Sequence, residues 1–504
     1  MSASFPAVYD FELLPYALGD VLTWNVQTAI RCEEAGRSRV DVLICVDERH
    51  PAGLYQRGLV TAANCGLFFN ELFGAFGSHP NAGKLLVFRR REELVDYLRA
   101  AGRDDPLHAE ALREHEAALA RSASEEALVE YFTRTIHSHE RINAFAAKHG
   151  RVPLLRPSAG TGPDVAGLLS RRFPGKRIVA VHTRLRRLDA GYGGEQSYAR
   201  DSDFLEWYEF LREAGKTHPE VQFFLLGRLQ EKPLEMLKLD NATSLRLFGL
   251  GLGHELTALL ESDLFLGTSS GFAAMANFSR VPYFVTRMTP ASCKAYGIEQ
   301  GAERLPFAHE RQRLVYEPET RELLLRLLEQ GLAGAAPRAP RPPTRLDPAI
   351  DVRSWPWESS QWLYPDATTH RFFRDGAFAE KETAFLLWPK VKEARAAHRA
   401  GRLAEAWAIL ERIAAAFPRL AGRYPEYLRL RRDVAASLGK AQIARECAAS
   451  LRAIAATDSV GAALARRLHW LYPAIEWLKW AWSRKHRIPR KLARLVTSLS
   501  GNRP

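Results

Sequence analysis

Two consecutive α/β domains of the doubly wound, Rossmann-like kind, followed by an α-helical region, are the fold class this 504-residue sequence predicts. Two series of short β-branched runs alternate with helical patterns, the signature of parallel strands joined by helical crossovers. After a Pro-rich stretch, the pattern becomes helical with small residues at spaced intervals.

The first series spans 1–157. Phe11–Ala17 is a short apolar run, Val21–Ala35 a helix stopped by Gly36, and Val40–Val46 a buried strand. An aromatic helix near Phe68–Phe76 leads to the strand Leu85–Phe88, and helical patterns fill Glu92–His149. The second series spans 158–332, with strands at Arg177–His182, Val221–Leu226, Ser244–Phe248, Leu264–Gly267 and Pro282–Thr286. Helical patterns at Asp203–Ala214, Pro233–Leu239, Glu255–Ser262 and Gly271–Ser279 separate them. Two such domains in succession imply a ligand cleft between them.

Residues 333–387 form a Pro- and Trp-rich linker that includes Trp355, Trp357 and Trp362. In 388–460, Gly401, Ala406, Leu410 and Ile413 are followed 38 residues later by Gly439, Ala444, Ala448 and Leu451. Those offsets are tetratricopeptide-like and would serve a protein partner; generic helical hairpins are the alternative.

The net charge is +13, yet 466–504 holds ten Lys+Arg against the single acid Glu476. The rest of the chain is close to neutral, which argues against nucleic acid as a partner. The tail 461–504 also carries Trp470, Trp477, Trp480 and Trp482, a mix that suits an anionic membrane surface. An aromatic helix packed on the helical region is the other reading. Five scattered cysteines without CxxC spacing, no secretory leader and no 18-residue apolar run predict a cytoplasmic protein, at most peripheral on the membrane. No zinc-type cluster is present, so no metal site is predicted.

Three segments could carry chemistry. Leu18-Gly19-Asp20 joins the first strand to the first helix; Asp20 is either a helix cap or a general base. His182-Thr183-Arg184 ends a parallel strand, where the planar Arg184 fork suits a diphosphate. Arg186, Arg187, Asp189 and Gly191–Gly194 continue it as a loop that could fold over a ligand, or be a solvated basic loop. Thr268-Ser269-Ser270-Gly271 runs from a strand into a helix, giving an anion site or simple capping. Arg228 and Gly251, after neighbouring strands, are further ligand candidates. Asp201-Ser202-Asp203 has metal-binding spacing but reads better as a helix cap, and His137 and His139 face apart on a helix.

In the order and strand placement of these motifs, residues 10–330 resemble the GT-B glycosyltransferases. Gly19-Asp20-Val21-Leu22 is similar to the GD motif of the ADP-heptose transferases. Asp263–Ala276 is similar to their phosphate loop, with Ser269 in place of its Asp and Ala274 in place of its His. His182-Thr183-Arg184 resembles the HxR motif of fucosyltransferase-like enzymes. The resemblance implies metal-independent transfer from a nucleotide-sugar co-substrate, of unspecified nucleotide, to a glycan or glycoconjugate hydroxyl in cell-surface polysaccharide or glycoconjugate synthesis. It implies Asp20 as base, Arg184 and Ser269/Ser270 as phosphate ligands, His182 beside them, and closure of the domains over the substrates. A catalytically silent scaffold and a hydrolysing epimerase are the competing readings.

Overall fold

The computed structural model describes residues 4–53, 56, 60–122, 124–137, 139–158, 160–184, 200–228, 232–333, 349–352, 387–422 and 424–457. The glycine-rich loop at 185–199, Trp355, Trp357, Trp362 and the basic tail 466–504 lie outside them. The chain forms two compact units, Met1–Lys390 and Val391–Pro504.

The first unit contains two parallel sheets with helices on both faces. Its first lobe runs β1 (Phe5–Asp10), α1 (Leu18–Glu34), β2 (Val40–Cys45), α2 (Cys65–Phe76) and β3 (Ala82–Phe88). Helices α3 (Arg91–Ala101), α4 (Pro106–Arg121) and α5 (Glu125–Phe132), a π-turn (Thr133–His137) and α6 (Glu140–His149) follow. The helical patterns expected over 92–149 are thus four helices and a π-turn. Asp105 ends the α3–α4 turn by accepting a bond from Leu107 N, and Pro106 starts the new helix. Alternate residues of β2 face opposite ways. Val42 and Ile44 meet the α1–α2 side, while Leu43 and Cys45 meet Leu94 and Leu98 of α3.

The second lobe begins with α7 (Thr161–Arg172) and β4 (Arg177–His182), then α8 (Phe204–Thr217), β5 (Val221–Leu225), α9 (Leu234–Leu237) and β6 (Ala242–Thr243). It continues with α10 (Leu252–Leu260), β7 (Leu264–Thr268), α11 (Gly271–Asn277), β8 (Tyr283–Thr286), α12 (Pro290–Tyr296), β9 (Gln312–Leu314) and α13 (Arg321–Leu332). The strand expected at Ser244–Phe248 is a 3-10 turn instead. Ser244 Oγ accepts from Arg246 N, and Gly249, at φ +75°, ends the turn. One further strand, β10 (Ala349–Val352), pairs with β3 in the first sheet.

The strand orders differ. The first sheet reads β1-β2-β3-β10, with β1 at its edge. The second reads β6-β5-β4-β7-β8-β9, so the order reverses between β4 and β7.

A continuous apolar core joins the lobes. Tyr9, Val42 and Phe76 of the first belong to the same buried cluster as Ala180, Phe265 and Val285 of the second. Backbones meet there at two glycine pairs. A methyl group on Gly19 would lie 3.2 Å from Gly271 Cα, and one on Gly74 would lie 2.7 Å from Gly253 N. Only the absence of side chains lets α1 meet α11, and α2 meet α10, this closely. The lobes are packed together at this face.

The second unit contains most of α14 (Trp388–Arg399), then α15 (Leu403–Ala416), α16 (Pro418–Ala421), α17 (Pro425–Ser437) and α18 (Ala441–Thr457). Ala406, Leu410 and Ile413 are buried, and Tyr427 Oη donates to Leu410 O at 3.0 Å. Their spaced counterparts Ala444, Ala448 and Leu451 are half-buried.

Gly74→Ala should destabilise the first unit by about 1–3 kcal/mol, because the clash is with backbone that cannot rotate away. Urea unfolding with an unchanged midpoint would refute the close-approach account.

Candidate functional site

In a doubly wound sheet, ligands bind where the strand order reverses, outside the carboxyl ends of the strands. Here that point lies between β4 and β7. β4 ends at His182 and continues into Thr183 and Arg184; β7 ends at Thr268 and continues into Ser269 and Ser270. His182 and Gly267 are register partners, and a methyl group on Gly267 would lie 2.7 Å from His182 O. The two motifs read separately in the sequence are therefore neighbours.

His182 Nδ1 lies 2.9 Å from Ser270 Oγ, and the ring packs on Phe272. Ser270 caps α11 by accepting from Ala273 N at 3.4 Å, leaving its hydroxyl proton for His182 Nδ1. That assigns the ring proton to Nε2. Burial, aided by Lys232 and Arg184, drives the His182 pKa well below the usual histidine range, so the imidazole is neutral at pH 7. Ser269 N donates to Thr286 O and its hydroxyl to Ser292 Oγ. Thr183 and Thr268 are 1% and 0% exposed, and neither hydroxyl has a hydrogen-bond partner among the described residues. Unsatisfied buried hydroxyls are costly and uncommon, and two sit side by side at this crest.

Three arginines near the crest face acids. Arg184 Nη1 lies 2.7 Å from Asp201 Oδ1, and Arg184 N donates to Ser202 Oγ. Asp203 caps α8 by accepting from Glu206 N. The Asp201-Ser202-Asp203 segment thus fixes an arginine and starts a helix. Arg228 lies 3.9 Å from Glu71 of α2, and Arg246 lies 3.5 Å from the same carboxylate, so these pairs bridge the lobes. Glu255, fully buried on α10, accepts from Gly227 N and from Arg246. Burial pushes its carboxyl up to about 7 against the pull of Arg246. Gly251 starts α10 with open space around its Cα.

Asp20 is the third residue of α1, not its cap; the helix begins at Leu18. Its neighbour Gly19 touches Gly271, the first residue of α11. Two helix N-termini, each with partial positive charge, meet here, and Asp20 supplies a negative charge in the first turn.

The sequence reading missed Glu255, Glu71, Lys232 and the role of Asp201. Glu255 had a signal, an acid four residues before Leu259 on an otherwise buried helix face. Lys232, also buried, precedes a proline in a loop and had none. Among the described residues, no cluster of His, Cys, Asp or Glu could hold a metal ion, and no helix is long and apolar enough to cross a membrane.

No protein-family profile and no curated protein matches the chain. Among solved structures, it is distantly similar to E. coli heptosyltransferase WaaC with ADP-2-deoxy-2-fluoro heptose (12% identity, 64% of this chain, 99% of that one, TM-score 0.33). It is also similar to a glycosyl transferase family 9 protein from Veillonella parvula (11% identity, 66% of this chain, 99% of that one, TM-score 0.39). A putative UDP-N-acetylglucosamine 2-epimerase from Listeria monocytogenes matches at 12% identity over 66% of this chain and 89% of that one, with a TM-score of 0.29.

His182, and His79 with its pKa lowered to about 3 by burial, stay neutral in the folded chain and take up protons on unfolding. Through these two histidines the unfolded state binds more protons below about pH 6.5, a contribution that lowers stability as pH drops from 7 to 5; the raised Glu255 carboxyl, protonated in the folded chain over the same range, opposes it. His182→Gln should remove the His182 share of that contribution, making the slope of unfolding free energy against pH less positive between pH 5 and 7; an unaltered slope would contradict the buried neutral imidazole.

Proposed function

We propose that the chain is a nucleotide-sugar-dependent glycosyltransferase, with the donor diphosphate seated at the β4–β7 crest. The observation that carries this reading is the pair of buried, unpartnered hydroxyls on Thr183 and Thr268, beside the His182–Ser270 hydrogen bond. Such donors are what a diphosphate oxygen needs, and they sit where this sheet order places ligands. The motif order read from the sequence supports the same class.

In this reading, Thr183, Thr268 and Ser270 hydroxyls and the Nε2–H of neutral His182 stabilise charge developing on the leaving diphosphate. Arg184 adds its charge, oriented by Asp201. Asp20 removes the acceptor hydroxyl proton. Gly19, Gly271 and Ser269 shape the backbone beneath the donor, while Gly251 leaves room for the nucleoside. Arg228 acts through its pair with Glu71, steadying the lobes. The donor nucleotide is left open to a melting-temperature screen against GDP-, ADP-, UDP- and CMP-sugars. The tetratricopeptide-like helices as a partner surface, and 466–504 as a membrane address, belong to the same proposal.

A second reading, a catalytically silent scaffold, is favoured by one observation: Arg184 and Arg228 already face carboxylates. Two substitutions separate the readings. Thr268→Val removes an unsatisfied hydroxyl, so stability should hold or rise by about 1 kcal/mol while nucleotide affinity falls several-fold. Calorimetry showing unchanged affinity would remove the donor site. Asp20→Asn should lower turnover by about 10²–10⁴ with donor binding largely kept; undiminished turnover would exclude Asp20 as base.

A further inference from the structure

A cavity of about 420 Å³ opens at the edge of the first sheet. Its volume lies within the range of about 300–1,000 Å³ usual for small-molecule sites. Its walls come from β1, α1, α4, α5, the π-turn and the start of α6. Neither Asp20 nor any residue of the β4–β7 crest lines it. The cavity exists because β1 is an edge strand. Phe5 N donates to Arg39 O and Phe11 N to Cys45 O, so odd-numbered residues face β2. Pro6 and Val8 turn their main-chain groups to the open side, and both line the cavity.

One wall holds an unmatched acceptor. His115 of α4, 3% exposed, lines the cavity, and its Nε2 is 2.9 Å from Asp10 Oδ2. Burial would raise the Asp10 carboxyl, but the bonds from His115 and Arg91 bring it down to about 2, so it is an anion that only accepts. Nε2 therefore carries a proton, and in the neutral ring Nδ1 is left with a lone pair. Nδ1 has no hydrogen-bond partner among the described residues. A buried acceptor without a donor is costly, so a ligand hydroxyl at Nδ1 would make a bond the protein itself lacks.

Beyond His115 the lining is small and aromatic. Ala111 and Ala118 lie on the His115 face of α4, four residues before it and three after. Trp24 of α1 and Tyr131 of α5 contribute rings. Flat alanine surface and aromatic walls suit a planar ring.

The remaining wall is basic. Four arginines line it against Glu114 and Glu130. Arg31 is paired with Glu114 and Arg141 with Glu34. Arg121 and Arg134 make no ion pair among the described residues. Arg121 follows His115 by six residues on α4, about 9 Å along the axis. Acceptor and cation are thus set apart by about the length of one ring and a short arm.

We propose that this cavity binds a small aromatic hydroxy acid, with its hydroxyl on His115 Nδ1, its ring against Trp24 and the alanines of α4, and its carboxylate at Arg121 and Arg134. The site is separate from the crest and holds its ligand whether or not the chain transfers sugar.

The test is calorimetric titration of the full chain with three probes. 4-Hydroxycinnamate is rigid and carries hydroxyl and carboxylate at opposite ends; cinnamate lacks the hydroxyl, and 4-hydroxycinnamyl alcohol lacks the charge. The first should bind saturably, the alcohol about tenfold more weakly or worse, and cinnamate more weakly than its hydroxylated form. The exposed double variant Arg121→Gln/Arg134→Gln should weaken 4-hydroxycinnamate about tenfold and bring it level with the alcohol. Ala117→Glu, which puts an acid on the exposed part of the α4 wall, should also weaken it. No saturable binding, equal affinity for all three probes, or full affinity in both variants would overturn the proposal. So would a loss of 4-hydroxycinnamate affinity in Thr268→Val, which would put the probe at the crest instead.

Discussion

The close approach of backbone to backbone at Gly19–Gly271 and Gly74–Gly253 is the constraint on which the rest of the first unit depends. It brings the N-termini of α1 and α11 together and lets the inner faces of both sheets share one apolar core. The proposed base and the proposed phosphate crest are thereby set side by side by the close packing of backbone on backbone. Electrostatics follow from the same contact. Two positive helix ends meet at a point where Asp20 is the acid in the first turn. A structural role and a chemical role for Asp20 are thus compatible, since a charge needed to quiet two dipoles is also a charge beside the crest.

The strand orders divide labour between the lobes. The second sheet has the reversal that opens a crevice, and every segment singled out there, from His182 to Ser270, comes to its rim. The first sheet has no such reversal at β1. Where further strands could extend the sheet, helices α4 and α5 stand instead, and the space they leave becomes the basic cavity. Polar main chain, which a central strand would satisfy, is left on that edge.

Much of this was legible in the sequence because it rests on local chemistry. The strand Arg177–His182 needs only its β-branched run, and the helix after Ser270 only its cap and the small residues behind it. What escaped was set by distance in the fold. Ser244–Phe248 has strand-like composition, yet a serine side chain and a left-handed glycine turn it into a 3-10 helix. Glu255 and Glu71 matter through Arg246 and Arg228, partners that no spacing along the chain announces. The edge position of β1, and hence the cavity, is a property of topology alone.

The glycine pairs also bear on how this chain can be recombined. Each contact has one partner in either lobe, so neither glycine can be exchanged on the merits of its own lobe. A chimaera that imports one lobe from a relative inherits half of each pair, and any side chain on the incoming half meets backbone. The lobes consequently travel as a matched set, and the seam between them is a poor place for a splice.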